Sequence, residues 1–363
     1  MKWLQLANPE SIASPGLLVD ADRVAANIKT MIQAVGGPEA VSRLRPHVKT
    51  HKMPEVIRLQ LGAGISQFKA ATIAEVKMVA EAGGRDILLA YQPVGPNLQR
   101  LADLVAEYPQ VSFAAVCDDI DAAKRAADRL GDATRPFRLF IDIDCGMHRT
   151  GIPLGDGLDR LRDFIESLSG VQFAGLHIYD GHIHDSSLQA RREKAVRIID
   201  SLRNYQQTAP APTIIGGGSP TFGIWAAETS WQCSPGTPLL WDVGYATMCA
   251  ESDFLIAAAL LTRVISKPTS NLVCLDLGHK SVAAEMPLPQ RVTIPSIPDA
   301  QLVGQSEEHL VVETSQAADL HVGDPLLAFP RHICPTVALH AFATVIRDGR
   351  ATGEIWQVTA RDR

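Results

Sequence analysis

Along this chain short apolar or β-branched runs alternate with longer stretches whose apolar residues recur at helical spacing, as in ADRVAANIKTMIQAV and DDIDAAKRAADRL. Such alternation marks βα units and a parallel sheet. Eight strands are expected, at residues 16–20, 43–49, 66–71, 86–90, 111–116, 137–142, 172–179 and 213–216. A clear helical stretch follows each of the first seven and a short one follows the last. Eight units within about 230 residues match a TIM barrel, for which about 250 is usual, and a doubly wound sheet is the alternative. Beyond about residue 240 the helical period stops, and AAALLTRVIS, NLVCLDLG, HLVVETS and ATVIRDGR read as strands between turns. The expected architecture is α/β: a (β/α)8 barrel over residues 1–240, whose first residues can join the second domain, then a mostly antiparallel β domain over 241–363.

Composition narrows the partners. A length of 363 residues exceeds the roughly 250 to 300 at which one core stops growing, in keeping with two domains. No apolar run reaches the roughly 18 residues of a membrane span, so no membrane is expected. The opening MKWLQLANPESIASPG has neither a basic leader nor a continuous apolar stretch, and cytoplasm is the default. A net charge of −6 without a basic block lacks the footprint of a nucleic-acid binder and points to a small-molecule partner. The six cysteines lack CxxC spacing, so most are expected to be buried thiols.

Four segments carry candidate chemistry. In LRPHVKTHK a strand's period of two puts Arg45, His47 and Lys49 on one face and Pro46 and Val48 on the other. Charges inside a barrel are costly unless paired or functional, and barrel enzymes place their chemistry at the C-terminal strand ends. A salt-bridged strand end is the plainer reading. IIGGGSPTF sets Gly216, Gly217, Gly218 and Ser219 between the eighth strand and a short helix start, where backbone N–H groups meet a phosphate. Alone, a GGG run is a turn. IDIDCGMHRTGI ends the sixth strand with Asp142, Asp144, His148 and Arg149, and GLHIYDGHIHD ends the seventh with Tyr179, His182 and His184. A capped strand-to-loop junction explains the first equally well. In RHICPT, His332 and Cys334 stand two residues apart, on one side of a strand.

RPHVKTHK resembles the cofactor-lysine segment of the D-threonine aldolase and D-serine dehydratase family, whose members share the barrel of alanine racemases. The resemblance runs from SPGLLVD to the tail. It implies a pyridoxal 5′-phosphate (PLP) enzyme in which Lys49, not Lys52, carries the cofactor, with His47 also at the cofactor. It gives the phosphate to Gly216, Gly217, Gly218 and Ser219, with Gly236 and Thr237 of the PGT segment as a second part. It sets Tyr179 beside the cofactor and Arg149 at its pyridine nitrogen, where a guanidinium that keeps its proton would leave that nitrogen unprotonated. It also implies that His332 and Cys334 hold a divalent ion; thiolate with imidazole favours zinc, with manganese second.

The implied reaction is cleavage of β-hydroxy D-amino acids to glycine and an aldehyde. Alternatives are dehydration of D-serine or 3-hydroxyaspartate to a 2-oxo acid and ammonia, or amino-acid racemisation. Family aldolases use a histidine after the tyrosine as base; the spacing here departs from that pattern, so His182 and His184 both stand, with His184 the first choice. LGHKSVAAE, with His279, Lys280 and Glu285, resembles a β-domain segment that reaches an active site. The family also implies a homodimer. A non-catalytic PLP carrier would consist of the barrel alone, and a metal-dependent barrel hydrolase would leave Lys49 and the glycine loop unexplained.

Overall fold

The structure, a computed structural model, describes residues 6–363. The first five residues of the opening segment read above as no leader lie outside the described residues. The chain divides into two compact units. One takes the described residues through Thr30 with Thr50–Val56 and Thr237–Arg361; the other takes Met31–Lys49, Ile57–Gly236 and the last two residues. Strand β1 (Gly16–Asp20) forms at the expected residues but is not a barrel strand, because its partners lie in the sheet of the first unit.

In the barrel unit β2 (Gln67–Ala70), β3 (Asp86–Leu89), β4 (Ser112–Cys117), β5 (Phe137–Ile143), β6 (Val171–Ile178), β7 (Ile214–Gly216) and β8 (Gln232–Cys233) pair in parallel in that order. The expected strand over 43–49 is corrected to a shorter extended segment that closes the ring. Its Leu44 bridges Cys233 and its His47 bridges Lys69, both in parallel. Arg45 and His47 donate to Cys233 and Pro235, and Lys69 donates to Pro46. The alternation stops there because Val48–Thr50 winds into a 3-10 turn. The Lys49 N–H folds back to His47 Nδ1 at 3.3 Å, a local bond that competes with the ladder.

Side chains fill the ring in three tiers, as barrels of this kind require. At the N-terminal end Asp86 takes Arg45 at 2.8 Å and Arg138 at 2.6 Å. In the middle Leu88, Ala114, Val116, Phe140 and Ile215 form an apolar plug, each large side chain contributing about 1.5–3 kcal/mol by burial. At the C-terminal end the interior is polar again, with Lys69, Asp142, His177 and Ser234 all buried. That tier gains nothing from apolar burial, so its charges have to be paired or used.

The other unit adds β9 (Ala258–Ser266), β10 (Leu272–Leu275), β11 (Val292–Thr293), β12 (Gln301–Gln305), β13 (Leu310–Glu313), β14 (Pro325–Pro330), β15 (Phe342–Arg347) and β16 (Arg350–Gln357). Its sheet runs β12-β13-β10-β9-β1-β15-β16, with β14 on β9 and β11. All of its pairs are antiparallel except β1 with β15. Ile12, Leu18, Leu261, Phe329 and Ile346 build a core cluster of this unit. No helix among the described residues is long and apolar enough to cross a membrane.

One buried histidine of this unit gives the fold an acid limit. His51 is fully buried, its Nδ1 accepts from Met53 N–H at 3.1 Å, and its Nε2 has no hydrogen-bond partner. Burial, aided by the charge of Lys52 and opposed by the Met53 bond, pushes its pKa down to about 3. Unfolded, it titrates near ~6.5. Its contribution is therefore fully present above about 6.5 and is lost as pH falls toward about 3, on the order of 4 kcal/mol in all. Urea midpoints at pH 7 and pH 4 should converge in His51→Gln relative to the parent protein; an unchanged difference would reject this account.

Candidate active site

Tyr179, the first residue after β6, is the meeting point of two other residues expected at a cofactor. Lys49 Nζ stands 5.2 Å from its ring centroid and the Arg149 guanidinium 4.5 Å. Such contacts contribute about 0.5–1 kcal/mol at exposed sites and bring both side chains to the Tyr179 ring. Arg149 arrives on the loop after β5, where Asp144 accepts from Gly146 N–H, His148 N–H and His148 Nδ1. Asp144 and His148 thus build the loop. Asp142 turns instead to His177.

That pair belongs to a buried chain in the upper tier. Asp142 Oδ1 lies 2.7 Å from His177 Nδ1, and Asp142 Oδ2 accepts from Thr150 at 2.8 Å. His177 Nε2 is 3.4 Å from Lys69 Nζ, which also hydrogen-bonds Ser234. Burial opposes the charge of Asp142, but His177, Thr150 and Lys69 outweigh it and hold its pKa below the ordinary value. Burial, then the charge of Lys69, lowers His177. Sequence reading passed over Lys69, His177 and Ser234. The available signal was a lysine between Phe68 and Ala70 in a strand otherwise buried.

The glycine loop is tighter than expected. A Cβ on Gly216 would stand 2.3 Å from the Trp225 ring, and Gly217 holds a left-handed φ of +73°. The first two glycines are thus required by Trp225 packing and by the turn. Gly218 corrects the expectation of three amides facing a phosphate, because its N–H donates to Asp180 Oδ1 at 2.9 Å. Asp180 Oδ2 also accepts from Thr221 at 2.6 Å and Trp225 Nε1 at 2.8 Å. This fully buried carboxylate, missed in the sequence, organises the loop ahead of the helix Phe222–Glu228. Asp180→Ala would strand three buried donors, and a loss on the order of 3–5 kcal/mol is expected from the charge-assisted bonds. Thermal unfolding measures it, and a loss under ~1 kcal/mol would contradict this role. Ser219 is half-buried and Gly236 buried.

The two histidines separate cleanly. His184, the first choice as base, is exposed next to Asp185. His182 is half-buried with an unpartnered Nδ1, and its Nε2 lies 3.5 Å from where a Cβ on Gly146 would stand. All six cysteines are free and four are buried; burial pushes Cys117 up to about 11 and Cys145 and Cys233 to about 12, so these thiols are inert.

In the other unit His332 and Cys334 do come together, but not on a strand. His332 is the N-cap of the helix Ile333–Val337, and Cys334 lies in its first turn. His332 Nδ1 is 2.8 Å from Glu285 Oε1, and His332 also hydrogen-bonds the Cys334 sulfur. Burial works against a charged His332, yet Cys334, Asp242 and Glu285 raise its pKa to about 9. Cys334 Sγ stands 3.2 Å from Thr50 Oγ1 and 3.6 Å from Thr237 Oγ1. Thr237, expected in the phosphate cradle, thus turns its hydroxyl to this sulfur. Of the LGHKSVAAE side chains only Glu285 reaches the pair; His279 is exposed and Lys280 is tied to Glu307 at 2.5 Å. Among the described residues no group of three or more His, Cys, Asp or Glu is poised for a metal.

Both donor sets fit the groups the resemblance implies. The barrel site offers a lysine amine beside an aromatic ring, with the Arg149 guanidinium on the same ring and the Lys69 amine buried nearby, which suits an anionic, aldehyde-bearing cofactor. The His332–Cys334 pair combines imidazole with thiol, and Glu285 holds the second imidazole nitrogen as a carboxylate does in many metal sites.

Comparison with known proteins gives the family. The family model described as alanine racemase, N-terminal domain, matches residues 19–240, and the putative serine dehydratase domain matches residues 257–346. D-threonine aldolase from Arthrobacter sp is 30% identical over 96% of this chain and 93% of its own. The crystal structure of D-threonine aldolase from Filomicrobium marinum has a TM-score of 0.87 at 26% identity, covering 96% of this chain and 95% of that one. D-threo-3-hydroxyaspartate dehydratase from Delftia sp. is 25% identical over 93% of this chain and 96% of its own. It has also been solved as variants with alanine in place of a histidine and, two positions on, a cysteine, the latter in a metal-free form. With a family model spanning more than half of its length and a near-full-length relative at 30% identity, the chain belongs to the alanine-racemase-like family of PLP-dependent lyases that includes D-threonine aldolase.

Proposed function

We propose that this protein is a PLP- and divalent-metal-dependent lyase that cleaves β-hydroxy D-amino acids to glycine and an aldehyde. The observation that carries the reading is the Tyr179 ring in contact with both Lys49 and Arg149 at the barrel's C-terminal end. Lys49 would hold PLP covalently, Tyr179 and His47 would line it, and the loop with Gly216, Gly217 and Ser219 would receive its phosphate together with Gly236, Gly218 being held by Asp180. When bound, PLP supplies an electron sink for the bond broken at Cα. Arg149 would keep the pyridine nitrogen unprotonated and so moderate that sink. His182 is the better base for the β-hydroxyl proton, because its Nδ1 is unpartnered whereas His184 faces solvent.

His332 and Cys334 would hold the ion, zinc before manganese, which supplies a Lewis acid for the β-hydroxyl. Glu285 would fix the imidazole orientation. Two protein side chains leave positions open for water and a substrate oxygen. Cytoplasmic location and a homodimer complete the reading.

Dehydration is the second reading. It is favoured by the same histidine and cysteine spacing in the Delftia dehydratase variants, one of them described as metal-free. A product assay separates the two. With PLP and zinc or manganese, D-threonine should yield glycine and acetaldehyde in equal amounts. Pyruvate from D-serine, or a 2-oxo acid from 3-hydroxyaspartate, without glycine from D-threonine would replace the aldolase reading by the dehydratase.

A further inference from the structure

One buried charge in the barrel's upper tier has no task in the reaction above. Lys69 projects from β2, 2% exposed. Its Nζ hydrogen-bonds Ser234 and lies 3.4 Å from His177 Nε2. With the Nδ1 proton of His177 on Asp142 at 2.7 Å, Nε2 is an acceptor and Lys69 donates to it. The charged groups that act on Lys69 are Lys49 and Arg149, both positive, and Asp142 and Asp180, both negative. Asp142 is already committed to His177 and Thr150, and Asp180 to Gly218, Thr221 and Trp225. An ammonium walled in this way lacks an anion of its own, and such a charge is costly.

Resting on the reading that this barrel binds PLP, we propose that Lys69 is a further cation of the cofactor site, which answers the negative charge of the bound cofactor and takes up a proton when that anion binds. Burial, then the charge of Lys49, lowers the Lys69 pKa to about 7, so at pH 8 the ligand-free amine is mostly neutral. A bound dianion stabilises the charged form and raises that pKa. Between the two values the complex holds a proton that the free protein does not, so binding weakens as pH climbs through this window. His177 stays the neutral acceptor between Lys69 and Asp142, and Ser234 turns its hydroxyl to suit either form.

The test is calorimetric titration of the cofactor-free full-length protein with pyridoxine 5′-phosphate, which keeps the ring and phosphate but lacks the aldehyde. Titrations at pH 8 in HEPES and in triethanolamine should differ in heat by an amount equal to nearly one proton taken up per site. Lys69→Met should bind about tenfold or more weakly, with equal heats in the two buffers. Lys69→Arg, permanently charged, should restore binding without uptake. Equal heats for the parent protein, or uptake that survives in a folded Lys69→Met, would overturn the proposal while leaving cofactor binding in place. No binding by the parent protein would remove the cofactor reading itself, and the proposal with it.

Discussion

Lys49→Ala should give a folded protein that is colourless with PLP and does not turn over. Lys49 is half-buried in the turn Val48–Thr50, and its contact with the Tyr179 ring contributes on the order of 0.5–1 kcal/mol. The stability change should therefore stay within about 1 kcal/mol. The functional change is of another kind, because only an amine forms the covalent linkage to the cofactor aldehyde. Lys52 is the control. Its Nζ donates to Ala360 O at 3.1 Å, and its backbone sits at a φ of +55°, a structural position. Lys52→Ala should lose stability but keep the colour. Visible absorption beside circular dichroism measures both, and a yellow Lys49→Ala would reject the assignment.

Chelation, or Cys334→Ala, should abolish turnover while the protein stays folded and yellow. The ion's proposed work is to orient and polarise the β-hydroxyl, and losing a Lewis acid of that kind would cost several kcal/mol of barrier, about a thousandfold or more in rate. Cofactor absorption should hardly change, because the residues proposed to hold PLP are not those proposed to hold the ion. Cys334→Asp should recover activity better with manganese than with zinc, since a carboxylate is the harder ligand. Cleavage or dehydration at the original rate by chelated enzyme or Cys334→Ala would mean that the pair takes no part, and a racemase-like reaction needing PLP alone would become the better reading.

Strands with several alternating positions were readable from the chain. Asp86–Leu89, Ser112–Cys117 and Phe137–Ile143 each put apolar residues into the plug and onto the outer face, and that pattern survives without knowledge of partners. The geometry of the lysine segment was not readable. Its extended run ends at His47 because the Lys49 amide bonds a side chain, which no periodicity records. Strand β8 has two residues, too few for any period. Strand β1 looks like a barrel strand locally, and only its pairing of Leu17 with Leu260 and Leu18 with Thr344 assigns it elsewhere.

The site shows the same division. His332 and Cys334 are brought together as the spacing suggested, yet on a helix start; Pro335, tolerated in a first helical turn, was the overlooked signal. Asp180 was out of reach, because its role depends on what Gly218 and Trp225 place around it; Lys69 stood out as a lysine in an apolar strand, but its partners His177 and Ser234 did not.

The most direct test of the cofactor assignment is reduction of the yellow enzyme with borohydride, followed by proteolysis and mass mapping of the pyridoxyl-labelled peptide. The label should sit on Lys49 in the RPHVKTHK segment, at close to one per chain. Label on Lys52 or Lys69, or on no lysine at all, would contradict the account.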